Sequence, residues 1–180
     1  MKALDNFLIP FIGLKLGKHH FDFSLDKSFF ESYQYDEFED VAANVQLVLD
    51  KKSTHLELFF QHQTKVLVPC DVTNEMFWLP LKSKLNIIVK FGEEYNDTHD
   101  EILILPHGEF QLHVAQYIYE MIVLSAPAKR VHPGIANGTL KHEALNHLYQ
   151  SNTQSPIEEE TQETDPRWDK LRELLTDKKK

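Results

Sequence analysis

Cysteine is nearly absent from this chain: the one thiol, Cys70, has no partner for an internal disulfide. With no export signal, the expected compartment is a reducing cytoplasm. Long apolar runs are missing too. The stretch that comes nearest, residues 1–17, is broken by Asp5, Asn6, Pro10 and Lys15, so neither a membrane span nor a signal peptide is expected. The six glycines are scattered, none in the frame of a phosphate-binding loop, and no Gly-x-Ser-x-Gly elbow occurs. Positive charge is in short supply, with 19 basic against 28 acidic side chains and a net charge of -9. That balance opposes diffuse attraction to phosphate backbones, so any contact with RNA has to be local or indirect.

Chemistry-bearing residues are present without the spacing that chemistry needs. Ten histidines invite a metal, but His142 and His147 stand five apart, off the four-residue step of a zincin helix, and the neighbours His19 and His20 would face opposite sides of a strand. Cys70 follows Pro69 at a strand end, where zinc ribbons begin, yet the position three residues on is Thr73. As a nucleophile Cys70 would need a base and an orienting group, so a buried structural cysteine is the simpler reading. The carboxylates Glu93 and Glu94, and Asp36, Glu37, Glu39 and Asp40, read as solvated loops. No catalytic residue, metal site, cofactor or small-molecule substrate is expected.

What the chain has is 42% apolar residues over 180 positions, enough for one real core. An apolar run over residues 7–16 and a second over 20–25 predict two strands, with Pro10 bending or edging the first. Asp26 is a good N-cap for a short helix over 27–33. From Val41 to Leu49 every second residue is apolar, Asn44, Gln46 and Asp50 falling on the other side: a strand with one buried face. Residues 50–53 turn, Leu56, Leu58 and Phe60 return, 61–63 turn again, and Val66 and Val68 lead to Cys70, predicting an antiparallel meander. Residues 76–91 fit one long or bent strand, 93–100 a polar loop, and 102–105 a short strand ending at Pro106. Leu112, Ala115, Ile118, Tyr119 and Ile122 then step by three and four, predicting an amphipathic helix over 110–124 that stops before Pro127.

Beyond Pro133 the composition turns polar. The expected organisation is a core domain over 1–132, a largely disordered linker over 133–164 with a weak helix near 140–149, and an amphipathic helix over 165–177. There Asp165 is the N-cap, Pro166 takes the first helical position, and Trp168, Leu171, Leu174 and Leu175 form an apolar stripe. The expected fold class is α+β, a curved, barrel-like antiparallel sheet with one main packed helix and a polar tail.

Two basic groups are candidates for contact with a nucleic acid. Lys82, Lys84 and Lys90 share one strand face near Phe77, Trp78 and Phe91, and Lys129, Arg130 and His132 follow the main helix. Basic residues interleaved with aromatics can track a single strand. An ordinary solvated sheet face would carry the same pattern.

Three segments, taken in order, carry a resemblance. Cys70-Asp71-Val72-Thr73 forms a corner after the meander. Tyr117-Ile118-Tyr119-Glu120 runs through Pro127 into Arg130-Val131-His132-Pro133, and Asp165-Pro166-Arg167-Trp168 nears the chain end. The chain resembles the YceD family (domain of unknown function 177), bacterial and plastid proteins linked to accumulation and processing of large-subunit ribosomal RNA. The resemblance implies a cytoplasmic, non-enzymatic factor in large-subunit assembly. Its partner would be large-subunit rRNA or a pre-ribosomal particle, or a basic ribosomal protein or assembly factor; the net charge favours a binding module whose acidic residues, such as Glu158 to Glu160, Glu163 and Asp165, receive a basic protein, with direct RNA contact through Lys82, Lys84, Lys90, Lys129 and Arg130 as the alternative and an RNA-processing nuclease as the remote one. Many relatives carry Cys-x-x-Cys at the corner, some with a second pair after the helix, which together would hold zinc. Here Thr73 replaces the partner of Cys70, so the resemblance is to a metal-free branch.

Overall fold

The computed structural model describes residues 5–99 and 101–140, together with 142 and 145. Its centre is built by alternation. Strand β3 (Asp40–Lys51) buries Val41, Ala43, Val45, Leu47 and Leu49, and β4 (His55–Pro69) buries Leu56, Leu58, Phe60, Val66 and Val68. The turn expected over 61–63 does not form; β4 runs straight through it. Its inward period is kept there by two polar side chains that satisfy each other. His62 Nδ1 lies 2.9 Å from Thr64 Oγ1, and His62 Nε2 lies 2.8 Å from Ser83 Oγ. The Ser83 hydroxyl in turn donates to the carbonyl of Met121 at 3.2 Å. With that proton committed, His62 Nε2–H donates to Ser83 and Nδ1 accepts from Thr64, a neutral imidazole with both nitrogens paired.

The remaining strands complete a six-stranded sheet: β2 (Gly17–Leu25), β5 (Met76–Gly92), β6 (Asn96–His99) and β7 (Ile102–Pro106), in the order β2-β3-β4-β5-β7-β6. Every pair is antiparallel except β5 and β7, which run parallel and pair only from Ile88↔Ile102 to Gly92↔Pro106. Residues 76–87 of β5 therefore have β4 on one side and, among the described residues, no strand on the other. Strand β6 occupies the polar stretch expected to be a loop. It needs no apolar alternation because it is an edge strand held by its backbone against β7, with an irregular register between Asn96 and His99.

The sheet is open, with β2 and β6 as its two edges, and this corrects the barrel-like closure. Its inner face is covered from outside instead of by its own far side. A second, two-stranded sheet of β1 (Leu8–Pro10) and β8 (Gln111–His113) contributes Ile9 and Leu112 to the same core. Forming β8 shortens the expected helix: α2 spans Ala115–Leu124, and Val114, with no side-chain cap, donates its N–H to the Phe7 carbonyl at 3.0 Å. Ala115, Ile118, Met121 and Ile122 face the sheet, and the Ser125 hydroxyl closes the helix by donating to the Ile122 carbonyl at 2.6 Å. Helix α1 (Lys27–Glu31) starts at Asp26, whose side chain accepts from the Ser28 N–H at 3.0 Å, and it buries Phe29 and Phe30.

After β1 the apolar run does not continue as a strand. Residues 11–16 form turns, pinned by the Lys51 ammonium, which donates to the carbonyls of Phe11 (2.9 Å), Ile12 (3.2 Å) and Leu14 (2.9 Å). At the other end of this unit, α3 (Pro133–Ala136) is capped by His132, whose Nδ1 accepts from the Gly134 N–H at 2.9 Å. The described residues up to Leu140 belong to one compact unit. The helix expected over 165–177, with Asp165, Pro166, Arg167 and Trp168, lies outside the described residues, as does most of the weak helix near 140–149.

Candidate functional site

Because one side of the sheet is packed, the other faces solvent, and period two decides which side chains it presents. On β4 these are Glu57, Phe59, Gln61, Gln63 and Lys65; on β5 they are Trp78, Pro80, Lys82, Lys84, Asn86, Ile88 and Lys90. The register sets them in rows: Phe59↔Asn86, Gln61↔Lys84, Gln63↔Lys82, Lys65↔Pro80 and Leu67↔Trp78. An exposed aromatic thus stands at each end, Phe59 at 38% and Trp78 at 46% exposure. The separation is eight residues of β4, about 26 Å at the usual strand rise. The Lys84 ammonium sits 6.0 Å from the Phe59 ring centroid, at the outer limit of a cation–π contact.

Charge on this face is uneven. Along β4 and β5 it carries Lys65, Lys82, Lys84 and Lys90 against a single carboxylate, Glu57, in a chain whose net charge is -9. Further across, β3 and β2 bring Asn44 and Gln46 opposite Gln63 and Gln61, with Asp22 and Ser24 beyond them. The surface is indented there by two adjoining depressions of about 400 and 610 Å³ that share Asn44 and Gln63. Lys65, Phe59, Gln61 and Gln63 were not singled out from sequence, and Asn44 only as facing outward. The signal was available: had the alternation been followed through 61–63, all the β4 members would have fallen on the outward period.

The second basic group is elsewhere and otherwise engaged. Arg130 pairs with Glu37 and holds that carboxyl below its ordinary range, while the Arg130 N–H donates to Asp71 Oδ2 at 2.6 Å. The carbonyl of Arg130 accepts from the Asp71 N–H at 2.8 Å. His132 donates its N–H to Cys70 Sγ at 3.3 Å, and its ring meets Phe77 edge-on at 5.3 Å between centroids. These bonds tie residues 130–132 to the Cys70 corner. Lys129 is exposed beside them, as are Pro127 and Pro133. The structure therefore brings Lys82 and Lys84 together with Lys65, leaves Lys90 six residues further along β5, and ties Arg130 and His132 to the Cys70 corner.

At the corner, Asn74 N–H closes onto the Cys70 carbonyl at 2.8 Å, with Asn74 at a φ of 56°. Burial pushes the Cys70 thiol up, but the Thr73 hydroxyl and the N–H groups of His132, Val72 and Thr73 face the sulfur and together hold it below its ordinary value. Thr73 Oγ1 is buried and forms no regular hydrogen bond of its own. Among the described residues no group of three or more His, Cys, Asp or Glu side chains could hold a metal ion. Of the other positions in the resemblance, Tyr119 stacks on Tyr33 at 4.3 Å and Glu120 accepts from Gln116 at 2.9 Å on α2.

A family model described as large ribosomal RNA subunit accumulation protein YceD matches residues 58–175, well over half of the chain. The chain belongs to the YceD family. The YceD match opens at Leu58 inside β4, so it takes in the lysines of β4 and β5, the Cys70 corner and α2, while β2 and β3 precede it. YceD is named for accumulation of an RNA, not for a reaction. No curated protein and no solved structure matches the chain. No helix among the described residues is long and apolar enough to cross a membrane.

Proposed function

We propose that this YceD-family chain is a non-catalytic, cytoplasmic factor that supports accumulation of large-subunit ribosomal RNA by holding RNA on the solvent face of β4 and β5. The observation that carries the reading is the company of Lys65, Lys82 and Lys84 with Phe59 and Trp78 on one face, in a chain that is otherwise acidic. Phosphate contact through a few lysines is local and salt-sensitive, as the overall charge demands. The test is binding of the full chain to a transcript of large-subunit rRNA, with Lys65→Glu, Lys82→Glu and Lys84→Glu combined. Affinity falls at least about tenfold, and the slope of log affinity against log salt shrinks by about 2, since each phosphate contact on a single strand contributes about 0.7. Arg130→Ala, at a position engaged with Glu37 and Asp71, leaves affinity unchanged. Equal affinity for the triple variant and the parent overturns the proposal.

A second reading has the acidic side chains receive a basic ribosomal protein or assembly factor. It is favoured by the net charge of -9 and by the run Glu158 to Glu160, outside the described residues. Partners that stay bound to the purified chain after nuclease treatment separate it from the first.

A further inference from the structure

We infer that the RNA held on this face is single-stranded, its bases lying in the amide-lined depression between Phe59 and Trp78 and its phosphates following Lys65, Lys82 and Lys84. This rests on the RNA reading above and narrows it. Between the two exposed aromatics the face offers Asn44, Gln46, Gln61 and Gln63, paired across β3 and β4 as Asn44↔Gln63 and Gln46↔Gln61. Each amide presents a donor and an acceptor side by side, the complement of an unpaired base edge, and all four border the depressions.

Duplex RNA cannot use these features. Its base edges are closed within a deep, narrow major groove and its bases are already stacked, so exposed rings and short amides on an open sheet find nothing to meet. A single strand can splay its bases onto both. Lys82 and Lys84 lie to one side of the amides, opposite Gln63 and Gln61, and Lys65 ends the Gln61–Gln63 row two residues further along β4. That places the charges beside and at one end of a small block of base-sized polar sites, an arrangement one backbone can follow.

Fluorescence anisotropy of the full chain against a labelled single strand of about 12 nucleotides, and against the same strand annealed to its complement, tests the inference. The single strand binds at least about tenfold more tightly than the duplex. Trp78→Ala weakens single-strand binding about tenfold. Gln61→Val with Gln63→Val, which keeps strand-forming residues in place, does the same without changing the salt slope, because no charge is removed. Unfolding midpoints of both variants within a few degrees of the parent show that the sheet is intact. Equal affinity for duplex and single strand, or full affinity in the Gln variant, overturns this inference and leaves the broader RNA reading standing. Failure to bind either probe, or displacement of RNA by a glutamate-rich peptide at equal concentration, overturns both.

Discussion

His62 is the one histidine buried in the described core, at 1% exposure, and burial lowers its pKa to about 4 from an ordinary value of 6.5. Its neutral ring donates to Ser83 and accepts from Thr64, so protonation would add a charge and leave Nδ1 donating toward a hydroxyl that must turn around. The sign of the pH effect follows. Between pH 6.5 and 4 the unfolded chain binds a proton that the folded chain does not. Stability attached to His62 is therefore intact above about pH 6.5 and is lost progressively as pH falls toward 4. The two values imply a loss of about 2 kcal/mol at pH 5 and about 3 kcal/mol at pH 4, a large share of the roughly 5 to 15 kcal/mol that holds a domain folded. Urea unfolding of the parent and of His62→Gln, at pH 7 and at pH 5, measures it. Glutamine can accept from Thr64 and donate to Ser83 but does not titrate, so its stability falls about 2 kcal/mol less between the two pH values. Carboxylates held low, such as Glu37 and Asp26, also lose stability on acidification, but they do so equally in both chains. Identical acid losses in the two proteins would refute the assignment.

Two further outcomes follow from single contacts. Lys51→Met removes the ammonium that binds three carbonyls of residues 11–14, costs about 2 kcal/mol in urea unfolding, and speeds amide exchange in that loop. Gly92→Ala would set a Cβ 2.7 Å from Ile104 Cγ2, where β5 meets β7, and costs about 1 to 3 kcal/mol; Ile104→Ala in the same chain recovers part of it.

The elements most legible in the sequence were those with a clean period. Strand β3 is written in Val41, Ala43, Val45, Leu47 and Leu49, and the cap of α1 in Asp26. Where polar residues occupy inward positions, period alone misleads: His62 and Thr64 made a continuous strand look like a turn. Where an element is held by its neighbour's backbone, composition carries no signal, which is why β6 and β8 read as loop and helix. The open sheet was hidden for a related reason, since the elements that cover its inner face are scattered along the unit, β1 before the sheet, α1 between β2 and β3, and α2 after it. Of the candidate site, Lys82, Lys84 and Trp78 and the outward side of β3 were visible; the β4 members were lost with the turn expected at 61–63, and setting them in rows needed the register.

The first stretch of β5, which has no strand beside it among the described residues, bears on self-association. Among the described residues no strand pairs with the free side of residues 76–87, and an unpaired strand edge is a starting point of fibrous growth. Pro80 deprives that stretch of one donor, and Lys82 and Lys84 set like charges against a second copy approaching in register. Two of the lysines assigned to RNA are thus also sentries against clumping. Reversing their sign preserves the mutual repulsion, whereas neutralising them would take it away, and light scattering of the two kinds of variant should part accordingly.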